Sequence, residues 1–213
     1  MSQLDLSDLK NTDLKELDVT ERYSKFAPLY DELVNNWGYQ CYSKATELLQ
    51  SYVGLEQPIL DAGCGTGLAG QSLQEKGYQH LTGIDISSDM LERARQTGCY
   101  HNLQLQDLSD TPYPFADNQF AAITCIGVFS LIVDPLPVLQ EFWRILQAGG
   151  YLVFTQQEVL FNKYGYADVL QGFEQRKTFK RISISEPVVY LPHREGYEER
   201  TVIYFTYQIC KDA

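Results

Sequence analysis

Residues 59–67 read Ile-Leu-Asp-Ala-Gly-Cys-Gly-Thr-Gly, and this stretch decides the fold of the 213-residue chain. A short apolar run ends in the acid Asp61 and opens into a turn that carries three alternating glycines. This composition is typical of a buried strand that turns tightly into a helix and leaves bare backbone free to approach a ligand. We therefore expect a binding site at the carboxyl end of this strand.

From this stretch onward, short apolar strands alternate with helices that begin at Leu68, Ser87 and Asp134. The predicted strands are Pro58–Ala62, His80–Asp85, Asn102–Gln106, Phe120–Ile126, Gly150–Gln156, Lys177–Ser185 and Arg200–Cys210. The first five should be parallel and the last two antiparallel at the sheet edge. The pattern predicts an α/β fold with a Rossmann-like, doubly wound, seven-stranded mixed sheet, mostly parallel with an antiparallel C-terminal hairpin.

The composition is that of an ordinary globular domain, with 44% hydrophobic and 21% charged residues. The formal net charge of -11 disfavours nucleic acid and anionic membranes as partners. The longest apolar run is too short to span a bilayer, and the acidic N-terminus lacks the order of a secretory signal. Five cysteines without a CxxC pair predict free thiols, a reducing compartment and no metal site. We expect a cytoplasmic protein that is a monomer or a weak homodimer.

A second acid, Asp85, stands in the sequence Gly83-Ile84-Asp85-Ile86-Ser87, at the carboxyl end of the next strand. In such sheets an acid at this place accepts hydrogen bonds from both ribose hydroxyls of a nucleoside. The alternative is that Asp85 only caps the following helix or faces solvent, although Ser87 can provide the cap instead. A nucleoside ligand is therefore favoured.

The identity of that nucleoside is open at this point, because residues 65–70 also satisfy the GxGxxG pattern of dinucleotide-binding turns. Asp61 offers a physical discriminator. A carboxylate about 5 Å from a pyrophosphate would cost about 3 kcal/mol per charge pair at an effective dielectric of about 20. The same carboxylate would favour S-adenosylmethionine, which carries an ammonium and a sulfonium besides ribose and adenine.

The segment from about Tyr23 to Gln156 resembles the class I S-adenosylmethionine-dependent methyltransferase family. Residues 59–67 are similar to the first motif of that family, and residues 83–87 to its ribose-binding acid. Residues 106–120, QDLSDTPYPFADNQF, resemble its adenine-side loop. Residues 143–150, WRILQAGG, are similar to its stretch before the fifth strand.

The resemblance implies that S-adenosylmethionine is the cofactor and S-adenosylhomocysteine the product. Asp61 would reach the amino group of the methionine part, Asp85 would hold the ribose, and Asp107 would accept from the adenine amino group. The residues that the resemblance assigns to the cofactor lie at strand ends and in the following turns: Asp61, Ala62, Gly63, Cys64, Gly65, Gly67, Asp85, Ile86, Met90, Asp107, Leu108, Cys125 and Ile126.

The N-terminal residues 22–31, RYSKFAPLYD, resemble the tyrosine-rich lid of small-molecule methyltransferases, which places Tyr23 and Tyr30 at the cofactor cleft. An amphipathic helix packed permanently on the sheet is the alternative. Four segments follow along the chain. We expect a flexible or helical tail over 1–18, a helical lid over 19–56, the S-adenosylmethionine-binding core over 57–156, and a substrate-side helix with antiparallel strands of the same domain over 157–213.

A small organic molecule is the expected methyl acceptor. After the fourth predicted strand the chain reads Cys125-Ile126-Gly127-Val128, which lacks the acid or amide and paired prolines of nucleobase methyltransferases. The aromatic residues Phe161, Tyr164, Tyr166, Phe173 and Tyr190 either enclose the acceptor or pack against the sheet.

No catalytic base is evident, because a sulfonium is already a good leaving group and alignment supplies much of the rate. His193 is the one candidate base, and a solvated loop histidine is its alternative reading. Two other functions remain open: an NAD-dependent oxidoreductase, and a protein that binds S-adenosylmethionine without transferring its methyl group.

Overall fold

The computed structural model describes residues 19–211, so the tail expected over 1–18 lies outside the described residues. The described chain begins with three helices that precede the sheet. These are α1 (Val19–Phe26), α2 (Tyr30–Asn36) and α3 (Cys41–Gln50). A 3₁₀ turn over Ala27–Leu29 separates the first two. The break is expected at this point because the ring of Pro28 cannot continue an α-helix.

The centre of the molecule is a mixed β-sheet. Its strands are β1 (Ile59–Ala62), β2 (Leu81–Asp85), β3 (Asn102–Leu105), β4 (Phe120–Cys125), β5 (Leu146–Gln157), β6 (Phe179–Ile184), β7 (Val188–Val189) and β8 (Thr201–Ile209). The order along the sheet is β3-β2-β1-β4-β5-β8-β6, and β7 pairs with β8 outside this path. Strands β1 to β5 are parallel, and β8 runs antiparallel to both β5 and β6.

The predicted fold class is confirmed, with eight strands rather than seven. The additional strand is the two-residue β7, which lies between Pro187 and Tyr190. Two residues are too few to show the alternation by which a strand is recognised in a sequence.

Five further helices cover the two faces of the sheet: α4 (Leu68–Glu75), α5 (Ser88–Thr97), α6 (Pro135–Ile145), α7 (Glu158–Lys163) and α8 (Tyr166–Gln175). Two begin at the expected caps. The Ser87 hydroxyl accepts from the Met90 amide at 3.3 Å, and the Asp134 carboxylate accepts from the Leu136 amide at 3.1 Å. Every helix of residues 19–211 is too short or too polar to cross a bilayer.

The position of the site follows from the strand order. The chain builds outward from β1 to β3 on one side and from β4 onward on the other, so the helices after β1 and β4 diverge. In open α/β sheets this divergence leaves a crevice at the carboxyl ends of the two central strands. All four residues of β1 and all six of β4 are buried, which fixes both strand ends beneath the crevice.

Candidate active site

The glycine turn after β1 is bound to the end of β2 by its own backbone. The amides of Gly63 and Cys64 both donate to the Ile84 carbonyl, at 2.8 and 2.9 Å. The amide of Gly65 donates to Oδ2 of Asp85 at 2.8 Å. Gly65 has φ +54, and an added Cβ would meet no atom within 4 Å, so this residue borders open space. The turn is therefore rigid and presents bare backbone to the crevice.

Two adjoining cavities open at this turn and share the residues Tyr30, Gly63, Gly65 and Ile126. The larger cavity holds about 860 Å³ of empty space, part of it open to solvent. It extends along the end of β2 and the loop after β3. The smaller cavity lies over the end of β1, between the glycine turn and the tyrosines of α2 and α3.

The structure brings most of the predicted site residues together. Ten of them line the larger cavity: Tyr23, Tyr30, Gly63, Gly65, Asp85, Ile86, Met90, Asp107, Leu108 and Ile126. Asp61 and Cys64 line the smaller one. These twelve residues come from five separate parts of the chain, so their convergence depends on the sheet topology.

Three predicted cofactor residues line neither cavity. Ala62 and Cys125 are both 0% exposed and pack in the apolar core under the strand ends. Gly67 is the residue directly before α4, with φ +99, and an added Cβ would meet Thr97 and Tyr100. The glycine at position 67 thus serves the turn into the helix, because other residues rarely adopt this backbone conformation.

The candidate base His193 also lines neither cavity. Its amide donates to the Trp37 carbonyl at 3.1 Å, and its ring lies beside Gly38.

The five aromatic residues considered for an acceptor wall line neither cavity. Tyr166 and Phe173 are buried in the main core, and Phe161 and Tyr164 pack against it. Tyr190 packs against Tyr39, a residue of the smaller cavity, at 5.5 Å between ring centroids.

Several residues that line the cavities were not singled out from the sequence. They follow strand ends or stand beside predicted ones: Thr66, Gln106, Ser109, Leu131 and Ile132. Gly127 and Val128, just beyond the end of β4, also line the larger cavity. The glycine near a strand end is the sequence signal that could have indicated them. An added Cβ at Gly63 would lie 2.3 Å from Val128, so these two turns are in direct contact.

Asp61 is 1% exposed, and both of its carboxylate oxygens are hydrogen-bonded. Oδ2 accepts from the Tyr100 hydroxyl at 2.6 Å, and Oδ1 accepts from the Thr124 hydroxyl at 3.0 Å. Burial raises the pKa of Asp61 to about 6, and the nearby Asp85 carboxylate raises it as well, whereas the two hydroxyls lower it. The folded chain therefore holds a carboxylate that a neighbouring cation would stabilise.

Asp85 lies at the end of β2 and is half-buried. Besides the bond from Gly65, its Oδ1 accepts from the Ser87 amide at 2.9 Å. Burial raises the pKa of Asp85, and these backbone amides lower it. Each oxygen keeps a further lone pair, which leaves capacity for two hydroxyl donors from the cavity.

Gly70, the third glycine of the GxGxxG pattern, serves a different purpose from dinucleotide binding. An added Cβ at this position would lie 2.3 Å from the ring and the hydroxyl of Tyr100. We expect Gly70→Ala to lower the free energy of unfolding by about 1 to 3 kcal/mol, as overpacked cores do. Chemical denaturation measures this change.

Gly172 provides the matched control, because it also lies inside a helix and an added Cβ meets only the flexible end of Arg176, at 3.4 Å. Gly172→Ala should leave stability unchanged or raise it by up to about 1 kcal/mol. Equal effects of the two substitutions would contradict the packing role of Gly70.

No metal-binding cluster is found among the residues that the structure describes. There, histidine, cysteine, aspartate and glutamate side chains form no group of three or more that could hold a metal ion. The five cysteines are free, and four of them are buried.

Comparison with known proteins finds similarity to methyltransferases. A family profile described as "Methyltransferase domain" matches residues 60–154. Human methyltransferase-like protein 27 is 33% identical over 136 residues, which cover 62% of this chain and 55% of that protein. The ubiquinone biosynthesis O-methyltransferase of Hydrogenovibrio crunogenus is 25% identical over 174 residues, which cover 77% of this chain and 69% of that protein. This chain thus spans little more than half the length of the human relative.

A solved structure with the same fold is the TehB-like S-adenosylmethionine-dependent methyltransferase of Corynebacterium glutamicum. It superimposes with a TM-score of 0.68 at 21% identity and covers 89% of this chain and 98% of its own. The likeness extends beyond the residues matched by the family profile and includes most of the described helices and strands.

Proposed function

We propose that this chain, which belongs to the class I S-adenosylmethionine-dependent methyltransferase family, methylates a small organic acceptor. When bound, S-adenosylmethionine would supply an electrophilic methyl group from its sulfonium, and the acceptor atom would take this methyl and release its proton to water. The observation that carries this proposal is the pair of acids, Asp61 and Asp85, on the two sides of one glycine turn.

The two carboxylates favour a cationic ligand. Both have raised pKa values because of burial, and Asp85 raises that of Asp61 further by like-charge repulsion. A ligand with a positive charge relieves this repulsion, whereas a diphosphate adds to it. S-adenosylmethionine carries an ammonium group and a sulfonium on one side of its ribose. The ammonium group would suit Asp61 and the ribose would suit Asp85, the acids at two neighbouring strand ends.

The backbone of the glycine turn also disfavours a dinucleotide. Phosphate-binding turns depend on free amides that point at the ligand. Here the amides of Gly63 and Cys64 donate to Ile84, that of Gly65 donates to Asp85, and that of Gly67 donates to the Cys64 carbonyl. An NAD-dependent oxidoreductase is therefore poorly supported.

The residues present fit the cofactor. Gly65 borders open space in the cavities and would lie against the methionine part, whose ammonium Asp61 would bind. Asp85 would accept from the ribose hydroxyls. Ile86 and Met90 would contact the adenine, and Asp107, which lines the same cavity, would accept from its amino group.

We assign the lid to α1 and α2. Tyr23 and Tyr30 from these helices line the larger cavity. The lid is joined to the core by a hydrogen bond between the Ser24 and Ser87 hydroxyls and by one from the Thr66 hydroxyl to Asp31. The third helix is different, since Ala45 and Leu49 of α3 are buried in the core beside β1. The described residues of α1 and α2 contribute nothing to that cluster, and Val34 of α2 packs instead in a separate cluster with Leu191 and Val202.

Loss of the Thr66 hydroxyl should loosen this lid. In Thr66→Ala we expect faster hydrogen exchange over 19–36 and about 3- to 10-fold weaker binding of S-adenosylhomocysteine, which corresponds to one hydrogen bond. Thr178→Ala is the matched control, because this hydroxyl donates to Phe173 far from the lid. Unchanged hydrogen exchange in Thr66→Ala would contradict the proposal that this hydrogen bond holds the lid.

The acceptor is proposed to be an uncharged, partly apolar molecule. The part of the larger cavity beyond β4 is lined by Val128, Leu131 and Ile132, and nothing in it resembles a phosphate or carboxylate clamp among the described side chains. The relative from Hydrogenovibrio crunogenus is named as an O-methyltransferase of ubiquinone biosynthesis. Reactivity would come from alignment under the lid and from exclusion of water rather than from a dedicated base.

Two measurements test the function. Calorimetry should show binding of S-adenosylhomocysteine and none of NADH. Radiolabelled S-adenosylmethionine, offered with a panel of phenols, catechols and amines, should yield labelled product and S-adenosylhomocysteine in equal amounts. Binding of NADH without S-adenosylhomocysteine would overturn the family-based proposal, whereas cofactor binding without any transfer would identify a non-catalytic binding protein.

A further inference from the structure

Tyr100 stands in the turn before β3, outside every motif that predicted the site, yet its hydroxyl contacts Asp61 directly. The hydroxyl oxygen lies 2.6 Å from Oδ2 of Asp61 and 3.1 Å from the amide nitrogen of Gly70. Asp61 and Tyr100 are 39 residues apart in the sequence. The contact is thus produced by the tertiary fold.

The direction of these two hydrogen bonds is determined by the chemistry of the groups. The Gly70 amide is the third of α4 and has no acceptor within its own helix, because the first amides of a helix lack one. It can only donate, so the Tyr100 oxygen accepts from it. The phenolic proton is then free for Asp61. The N-terminus of α4 therefore supports the carboxylate through Tyr100.

Three glycines leave room for the Tyr100 ring. An added Cβ would lie 2.3 Å from the ring at Gly70, 3.1 Å at Gly83 and 3.3 Å at Gly67. These glycines come from α4, from β2 and from the turn before α4. One phenol thus reaches the carboxylate through the space that these glycines leave, and Tyr100 itself lines neither of the two cavities.

We propose that Tyr100 is a positioning residue that fixes the Asp61 carboxylate for the ammonium end of the cofactor. The inference rests on the proposed function, because it requires that a cationic group binds in the smaller cavity. With Oδ2 held by Tyr100 and Oδ1 held by Thr124, the carboxylate has one orientation, and its remaining lone pairs are the ones available to a ligand.

The titratable groups that face Asp61 are carboxylic acids, thiols or phenols, and none of them is a base. The titratable ones come from β2, the glycine turn, the segment before β3, the end of β4 and the tyrosines across the cavity: Asp85, Cys64, Cys99, Tyr100, Cys125, Tyr30, Tyr39 and Tyr42. The pKa of Tyr100 is raised well above its usual value by burial, so the phenol stays protonated and remains a donor over the whole working pH range. Of the two hydroxyls that bind Asp61, Tyr100 makes the shorter contact.

The test compares two ligands that differ in the methionine part. S-adenosylhomocysteine carries the ammonium, and 5′-methylthioadenosine lacks it. In Tyr100→Phe we expect affinity for S-adenosylhomocysteine to fall about tenfold, as for loss of one hydrogen bond to a charged group, and affinity for methylthioadenosine to stay within about twofold. The pH midpoint for binding of S-adenosylhomocysteine should also move upward, because the carboxylate loses a donor that favours its charged form.

Two controls separate positioning from general damage. Tyr78→Phe removes another buried phenol, which donates to the Val53 carbonyl at 2.9 Å away from the cavities, and should leave both affinities unchanged. In an Asp61→Asn background, Tyr100→Phe should have no further effect on S-adenosylhomocysteine, because the two residues act as one unit.

The outcomes are distinct. Equal loss of both ligands in Tyr100→Phe, or no loss of either, would overturn the positioning role while the proposed function stands. Additive losses in the double variant would also overturn it. If the unaltered chain binds neither ligand, the proposed function itself fails.

Discussion

Asp85→Asn is expected to weaken binding of S-adenosylhomocysteine by more than about a hundredfold, the largest effect of any single substitution in this site. The carboxylate is proposed to accept from two ribose hydroxyls, and each hydrogen bond to a charged group contributes about 1.5 to 3 kcal/mol. Two such bonds correspond to at least two powers of ten in affinity. Isothermal titration at pH 7.5 measures the change directly.

Asp85 also shapes the site through the backbone, which makes the control important. Its oxygens accept from the amides of Gly65 and Ser87, and an asparagine can replace only one of these acceptors. Asp89→Asn is the matched variant, because this acid is exposed in the first turn of α5, the helix that follows Asp85. It removes the same charge and should leave affinity unchanged.

Thermal unfolding of both variants distinguishes lost ligand contacts from a collapsed turn. A hundredfold loss of affinity in Asp85→Asn, with unfolding temperatures close to that of the unaltered chain, is the expected result. Full affinity in this variant would mean that Asp85 only caps the turn, and the nucleoside assignment would then lose its main support.

Local patterning was enough to predict the sheet. Each predicted strand overlaps an observed one, because a buried strand and its flanking turns are recorded in neighbouring residues. The largest difference is in β5, which begins at Leu146 instead of Gly150. Leu146 pairs with Phe120 before a register shift, so the strand runs on through a glycine pair that reads as a turn in the sequence.

Contacts between distant segments were beyond the reach of local patterning. The sequence indicates Asp61 as a site residue, but nothing near Asp61 identifies Tyr100 or Thr124 as its partners. Gly70 illustrates the same limit. Its spacing fits a dinucleotide pattern, and only the fold shows that the missing side chain makes room for Tyr100.

The aromatic residues of the C-terminal segment show why composition alone did not separate a pocket from a core. Phe173 and Phe179 stack at 4.4 Å between ring centroids, and both are buried in the main cluster. Phe179 belongs to β6, the edge strand of the sheet, and Phe173 belongs to α8, the helix that packs over this edge. The cavity beyond β4 is instead lined by short aliphatic residues of the following turn.

Asp61→Asn should affect folding stability and ligand binding in opposite directions, because the ionised Asp61 lowers stability and is proposed to strengthen ligand binding. Its pKa of about 6 lies above the value of about 3.8 for an exposed aspartate, so the folded chain holds this proton more tightly than the unfolded chain. Folding stability due to Asp61 therefore falls as pH rises from about 4 to 6 and is constant above that range. The cost of ionisation is on the order of 3 kcal/mol.

The variant removes this cost together with one charge-assisted hydrogen-bond acceptor. We therefore expect the free energy of unfolding at pH 7.5 to stay the same or rise by up to about 2 kcal/mol, and its decline between pH 4 and 6 to become shallower. Chemical denaturation at a series of pH values measures both. Asp110→Asn, at an exposed position of the loop after β3, controls for the change in net charge.

Ligand binding should change in the opposite direction. Affinity of the unaltered chain for S-adenosylhomocysteine should rise with pH through about 6, because only the ionised carboxylate attracts the ammonium group. Asp61→Asn should bind this ligand about 10- to 100-fold more weakly and lose the rise, whereas methylthioadenosine should bind both proteins alike. A chain that tolerates a buried, repelled carboxylate at a cost in stability is expected to do so for a ligand. If the variant were less stable and bound both ligands equally well, Asp61 would be a structural acid, and the electrostatic basis for a cationic cofactor would be lost.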